Sequence, residues 1–298
     1  MIFLQADLSQ AENRVGLMLT RDPRMIELAR TAPWELDMHS FNAGIVFGDD
    51  HMARMKRENP SEFKELRQLG KAISHGGQRG MGGQKLSDRI FKVTSRYIPP
   101  DVCDKHLAAY MRYYAPLKDY FKDIRLQIVK YRALLNSWGR LLRFTYDHLD
   151  DDAVFREAYS FLPQSEVADL LNQYGFRPLY AEMMRRYNRP VNLQVHDSLL
   201  VSVPAEDAYD VAMFLKDALE RPRIYYGAPM TIPVSFSVGS TWDVEYEFAK
   251  PFSRAEFDER AWDCDARSRR IELEPVEQFA AGGRWRRVEL DTDVAIAA

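Results

Sequence analysis

The stretch Val191-Asn192-Leu193-Gln194-Val195-His196-Asp197-Ser198-Leu199-Leu200-Val201-Ser202-Val203 decides how this chain folds. Apolar residues alternate at Val191, Leu193 and Val195, and again at Leu199, Val201 and Val203, the two-residue period of a half-buried strand. His196-Asp197 lies between the two runs, so the spacing predicts a β-hairpin with a very short connection. His-Asp is not a favoured two-residue turn, which points to a chemical use for Asp197 beside the turn itself. At the other end of the chain, Ile2 to Ala6 reads as a short buried strand that ends at Asp7. Each aspartate lies where a β-element meets the open. Two carboxylates brought together by a sheet can hold paired Mg2+ ions, which favour carboxylate oxygens, water and substrate phosphates.

A helix supplies the other half of the chemistry. Asn59-Pro60-Ser61-Glu62 is a strong helix start: an oxygen-bearing cap, a proline at the first position, an acid at the third. The helix is expected to run into the Gly76-Gly77 pair. Along it, Arg67, Lys71, His75 and Arg79 recur every four residues and form one slowly drifting stripe. Leu66, Leu69 and Ile73 fall on the opposite, inward face. Such a cationic stripe is either a solvated surface or a grip for a triphosphate, with Arg as a fork and Lys as a point charge. Gly76, Gly77, Gly80, Gly82 and Gly83 crowd the helix end. Each helical glycine costs roughly 1 kcal/mol relative to alanine, so the cluster suggests close approach to a ligand or a hinge.

The remaining pattern is helical before the hairpin. Asp22-Pro23 and Asp37 read as capped helix starts. Residues 104–135 read as one long helix or a pair, Trp138-Gly139-Arg140 as a turn, and 152–187 as helix broken near Pro163. A helix over 205–219 and a last strand over 231–238 follow the hairpin. Residues 249–298 read as a loosely packed extension, with the alternative that the Gly282-Gly283-Arg284-Trp285-Arg286-Arg287 patch touches nucleic acid.

Composition narrows the classes. At 298 residues and 46% hydrophobic the chain can bury a sizeable core, as one large domain or two smaller ones. No run of eighteen apolar residues exists, so no membrane span is expected, and the first residues lack the pattern of a secretory signal. Cys103 and Cys264 have neither metal-ligand spacing nor a disulfide framework, which fits the reducing cytoplasm. The formal net charge of −3 hides a division. Residues 52–143 hold 20 Lys and Arg against 8 Asp and Glu, while the remainder holds 21 against 36. A basic segment beside an acidic one suits a polyanion channel next to a carboxylate metal site.

Three motifs in order now carry a resemblance. Asp7-Leu8-Ser9-Gln10-Ala11-Glu12-Asn13-Arg14 resembles the first motif of family A DNA polymerases, D-Y-S-Q-I-E-L-R. Arg67, Lys71, His75-Gly76 and Arg79-Gly80 resemble the second, R-x3-K-x3-F-G-x2-Y-G, and Gln194-Val195-His196-Asp197 the third, Q-V-H-D-E. Asp37-Met38-His39 with Val46-Phe47-Gly48, Arg156 with Gln164, and Gly239 with Trp242 resemble intervening and C-terminal segments. The likeness spans residues 1–248.

The resemblance implies an α+β fold: an antiparallel palm sheet with a largely helical fingers subdomain. Residues 1–14 and 151–248 would form the palm, 15–150 the fingers, and 249–298 an extension of unknown role. It implies template-directed DNA synthesis, with two Mg2+ ions on Asp7, Asp197 and the Leu8 carbonyl. Arg67 and Lys71 would grip the triphosphate of a dNTP, Lys71 being a candidate to protonate the pyrophosphate. Gln10, His39, His75 and Arg79 would lie by the nucleotide, and Glu12 would be a steric gate against a 2′-hydroxyl. Arg14, Arg156, Gln164, Gln194 and His196 would contact primer–template DNA.

The departures are equally specific. His75 stands for the family's Phe, Arg79 for its Tyr, and Ser198 for its third acid. The family tyrosine supports the gate glutamate, so an ion pair between Arg79 and Glu12 is expected in its place. The chain begins at the strand carrying Asp7, so the thumb and any exonuclease are expected to be absent. Either this is a fragment or a second polypeptide supplies them. The alternatives are a single-subunit RNA polymerase-like enzyme, favoured by Ser198 and opposed by Glu12, and a non-catalytic DNA-binding fragment.

Overall fold

The structure is a computed structural model that describes residues 1–145, 152–243 and 245–269, with two further strands at 276–280 and 284–288. The chain opens with β1 (Ile2–Leu8), then eight helices: α1 (Ala11–Leu19), α2 (Pro23–Arg30), α3 (Met38–Phe47), α4 (Asp49–Glu58), α5 (Pro60–Gln78), α6 (Gly83–Thr94), α7 (Pro100–Tyr113) and α8 (Leu117–Tyr131). A small hairpin, β2 (Ala133–Leu135) and β3 (Leu141–Arg143), precedes α9 (Asp152–Leu170), a π-helical stretch at Leu171–Phe176, and α10 (Arg177–Tyr187). Then come β4 (Leu193–Val195), β5 (Ser198–Val203), α11 (Ala208–Leu219), β6 (Arg223–Tyr225), β7 (Ala228–Met230), β8 (Val234–Gly239), β9 (Tyr246–Phe248) and α12 (Arg254–Ser268). The last two strands, β10 (Val276–Ala280) and β11 (Arg284–Val288), pair with each other. Of the Gly282-to-Arg287 patch, residues 282 and 283 lie outside the described residues.

Helices and antiparallel sheets are both present, as expected. The main sheet has the order β4-β5-β1-β8-β9. β1 lies at its centre, paired antiparallel with β5 and β8. Burial along β1 alternates, with Ile2, Leu4, Ala6 and Leu8 inside. Strand side chains alternate between faces, so Phe3, Gln5 and Asp7 share the opposite face. The buried face packs on α11 and α12, and Phe257, Ala261 and Cys264 of α12 are fully covered. The expected loose tail is thus corrected over 254–268. That segment is a capped helix, Ser253 accepting from the Glu256 amide, and it closes the apolar side of the sheet. Among the described residues no helix is long and apolar enough to cross a membrane.

Local signals located most elements. Asp22, Asp37 and Asn59 each accept a hydrogen bond from the first turn of the helix they cap. Residues 104–135 resolve into a pair of helices, and Gly139 turns the β2–β3 hairpin with φ +85°. The last long strand begins at Val234 rather than 231. One break was misplaced: α9 runs straight through Pro163. A proline inside a helix leaves the carbonyl four residues earlier without its donor. Here that carbonyl, on Tyr159, accepts from the Tyr120 hydroxyl at 3.0 Å, so the lost helical bond is replaced from α8.

Three glycines of the cluster make room for neighbouring elements. A Cβ at Gly77 would enter the Tyr110 ring, at Gly83 the Asp104 carboxylate and the Pro100 carbonyl, and at Gly80 it would press on Tyr159. These glycines let elements approach one another.

Candidate active site

The site is built where β1 ends against the β4–β5 hairpin. Asp7 pairs with Ser198 on one side and Ser235 on the other. One step further, the Leu8 amide donates to the Asp197 carbonyl at 3.0 Å. His196 and Asp197 form the two-residue connection, His196 taking a left-handed backbone with φ 53°. The register therefore holds the two aspartates side by side. Burial and the neighbouring Asp197 charge push the Asp7 carboxyl up to about 7, against the opposing pull of Lys71. Asp197 is raised too, first by burial. Such a pair is poised for a cation, because neutralising charge would relieve both costs. Ser198 does not replace the missing acid: its hydroxyl donates to the Val195 carbonyl within the turn. Glu247 on β9 does add negative charge at Asp7. It is the middle residue of a three-residue strand, too short to show alternation, so no sequence signal marks it.

The α5 stripe faces this pair. Leu66, Leu69 and Ile73 are buried on the other side of the helix, as the period required. Lys71 is exposed, and among the described residues it makes no ion pair. Its charge is felt by both aspartates and by His39 and His75. Arg67 is held instead: its Nε and Nη2 donate to Asp37 at 2.6 and 3.0 Å. Gln10 donates to the same carboxylate at 3.1 Å. By sequence, Asp37 is a helix cap and part of a segment that resembles the family, with no site role of its own. The Asp37-x-His39 spacing beside Gln10 was the available signal for its wider role. His39 is buried, its ring 6.4 Å from that of His75. Burial first, then nearby cations, pull His39 down to about 4 and His75 to about 3. Both imidazoles are therefore neutral near pH 7.

Arg79 closes α5 and donates from Nη2 to Glu12 Oε2 at 2.6 Å. The expected ion pair is present. It lines a narrow cleft with His75, Gln78, Tyr159, Ser160 and Pro163. On α9, Arg156, Ser160 and Gln164 are spaced by four and share a face, and Ser160 lines this cleft. Tyr159 also lines a wider groove of about 380 Å3 with Lys118, Phe121, Lys122, Arg125 and Leu126. Gln194 and His196 are exposed on the hairpin.

Arg14, read as a DNA contact, lies away from the surface. It is fully buried. Its guanidinium donates to the carbonyls of Ser9, Ala29 and Thr31 at 3.0, 2.6 and 2.8 Å, and burial lowers its pKa to about 10. These bonds tie the turn after β1 to the end of α2. Breaking them to reach DNA would strand buried carbonyls and a buried charge, so Arg14 is a structural residue here.

The model of DNA polymerase family A matches residues 1–244, and the chain belongs to that family. It is similar to DNA polymerase I of Helicobacter pylori strain J99, 24% identical over 245 residues, covering 80% of this chain and 24% of the relative. It is similar also to DNA polymerase I of Synechocystis, 24% identical over 265 residues, covering 81% of this chain and 24% of the relative. The chain thus spans about a quarter of the length of these relatives. Among solved structures it resembles the POL domain of Pol1 from M. smegmatis, in complex with DNA primer-template and dNTP. That likeness has a TM-score of 0.59 and 22% identity, and covers 80% of this chain and 39% of that one.

Proposed function

We propose that this chain carries the nucleotidyl-transfer centre of a family A DNA polymerase. In this reading the primer 3′-oxygen attacks the α-phosphorus of a dNTP opposite the template base, and pyrophosphate leaves. The observation that carries the proposal is the pairing of Asp7 with Asp197 at the end of the central strands, facing Lys71. The donor set fits magnesium: two carboxylates whose charge is uncomfortable without a cation, with the Leu8 carbonyl as a further oxygen in this reading. Among the described residues no group of three or more His, Cys, Asp or Glu stands together as a metal cage. That suits an ion completed by water and substrate phosphate. Bound magnesium ions would supply charge neutralisation at the attacking and leaving oxygens.

The chain's own residues do the rest by positioning. Arg67 and Lys71 hold the triphosphate, and Lys71 is placed to give a proton to the leaving pyrophosphate oxygen. His39 and His75, both uncharged, flank the nucleotide with Gln10. Glu12, fixed by Arg79, stands against a ribose 2′-hydroxyl, which favours DNA over RNA synthesis. Arg156, Gln164, Gln194 and His196 meet the primer–template, and Lys118 and Lys122 of the wider groove offer cations to a single strand. Palm would correspond to residues 1–14 and 151–248, fingers to 15–150. A thumb and an exonuclease, from this or a second polypeptide, would complete the grip on duplex DNA.

Primer extension with Mg2+ tests the proposal. Asp7→Ala and Asp197→Ala are each expected to abolish nucleotide addition and leave DNA binding within a few-fold. Wild-type extension by either variant refutes the mechanism. Ser198→Ala is expected to cost far less.

A further inference from the structure

Asp37 is joined to three separate segments of the chain. Its Oδ2 accepts from the Ser40 amide at 3.2 Å and the Ser40 hydroxyl at 2.6 Å, which opens α3. Its Oδ1 accepts from Gln10 Nε2 at 3.1 Å, in the turn after β1. Both oxygens accept from Arg67 on α5. Gln10 occupies the N-cap position of α1 with a left-handed backbone, φ 56°, and makes no capping bond with its side chain. Its amide is spent on Asp37 instead. A non-glycine residue held in that region is strained, so the neighbourhood must over-determine it.

Two further observations point from this junction toward a ligand. Gln10 Oε1 and His39 Nδ1 are buried polar atoms with no hydrogen-bond partner among the described residues. Buried polar atoms are nearly always paired, and an unpaired one in a native fold calls for a reason. Arg67, meanwhile, uses only one edge of its fork. Nε and Nη2 face Asp37, while Nη1 makes no hydrogen bond among the described residues, and the side chain is 35% exposed.

We infer that Asp37 is a positioning residue for the incoming triphosphate: it fixes the plane of the Arg67 guanidinium so that the Nη1 edge is aimed at phosphate, and it locks Gln10 and the first turn carrying His39 into the same frame. The inference rests on the reading of Arg67, Gln10 and His39 as nucleotide-facing. An unrestrained arginine samples many rotamers and loses that freedom on binding. Clamping one edge beforehand removes much of that loss. The Asp37 carboxylate stays ionised to do this. Burial raises its pKa, but the hydrogen bonds from Arg67 and Ser40 and the Arg67 charge outweigh burial and hold it down at about 2.

The test is a double-mutant cycle on single-nucleotide incorporation by the full chain, with Mg2+, primer–template and one dNTP, using wild type, Asp37→Asn, Arg67→Ala and the double variant. Asparagine keeps an oxygen for the Ser40 amide, so α3 stays capped, and the thermal midpoint is expected to move by only a few degrees. Asp37→Asn is expected to lower kcat/KM at least tenfold in the wild-type background and less than twofold in the Arg67→Ala background. Equal losses in both backgrounds mean that Asp37 merely supports the fold, and overturn the inference. A gain in kcat/KM with Asp37→Asn means that the carboxylate only competes with triphosphate, and also overturns it. Unchanged kcat/KM in Arg67→Ala defeats the underlying reading of the nucleotide site, a failure distinct from the other two.

Discussion

Removing the Glu12–Arg79 pair is predicted to weaken sugar selection through a coupled effect. The pair is short, 2.6 Å, and its side chains are 23% and 26% exposed. A fully exposed ion pair contributes about 0.2–1 kcal/mol, and a hydrogen bond to a charged group about 1.5–3 kcal/mol. At this intermediate burial the coupling is about 1–2 kcal/mol, or roughly five- to thirtyfold in a rate ratio. Arg89 limits the damage from above. It is close enough for its pKa to respond to both partners, so a Glu12 that loses Arg79 still faces one cation. Arg79→Ala should therefore raise ribonucleotide incorporation by loosening the carboxylate, and Arg79→Tyr should largely preserve discrimination. Glu12→Ala should admit ribonucleotides and leave Arg79 without its partner. The assay is a double-mutant cycle on the dNTP-over-rNTP ratio of kcat/KM, run beside urea unfolding of the same four proteins. Additive effects in both would show that the pair does not hold the gate, and would leave Arg79 free for the template.

Two further outcomes follow from the same geometry. The Asp7 carboxyl is raised to about 7 from an ordinary 3.8, so between about pH 4 and 7 the folded state binds more proton than the unfolded one, and stability falls as pH rises through that window. Asp7→Asn removes this cost: in metal-free buffer its gain should grow from pH 4 to 7 and then level off at about 1–3 kcal/mol, after discounting for partial exposure, whereas an equal gain by urea unfolding at pH 4 and pH 8 would refute it. At Gly70, a Cβ would meet the His39 carbonyl and, at 2.7 Å, the Ala43 amide, both backbone atoms of α3. Gly70→Ala should destabilise by about 1–3 kcal/mol through overpacking. Stabilisation by about 1 kcal/mol, as at an exposed helical site, would show that the two helices do not meet there.

Sequence by itself determined what depends on neighbours a few residues apart. The two apolar runs around His196-Asp197 located the hairpin, although β4 is exposed throughout and β5 is buried on both faces; the caps Asp22, Asp37 and Asn59 located three helix starts, and the four-residue spacing placed Arg67, Lys71, His75 and Arg79 on one side of α5. The motif order alone groups Asp7 with Asp197. Tertiary structure decided everything that needs a distant partner. Arg67 meets Asp37 across 30 residues, and Tyr120 reaches across 39 to the carbonyl that Pro163 leaves without a donor. Arg14 looked like a DNA contact because its motif position says nothing of burial; three carbonyls from the chain around it claim its guanidinium. Helix α12 buries Phe257, Ala261, Cys264 and Asp265 on one helical face, but only the sheet packed against that face shows what it covers. Local pattern specifies which bonds a segment can make with itself, whereas a side chain's charge, burial and freedom depend on what the fold brings against it.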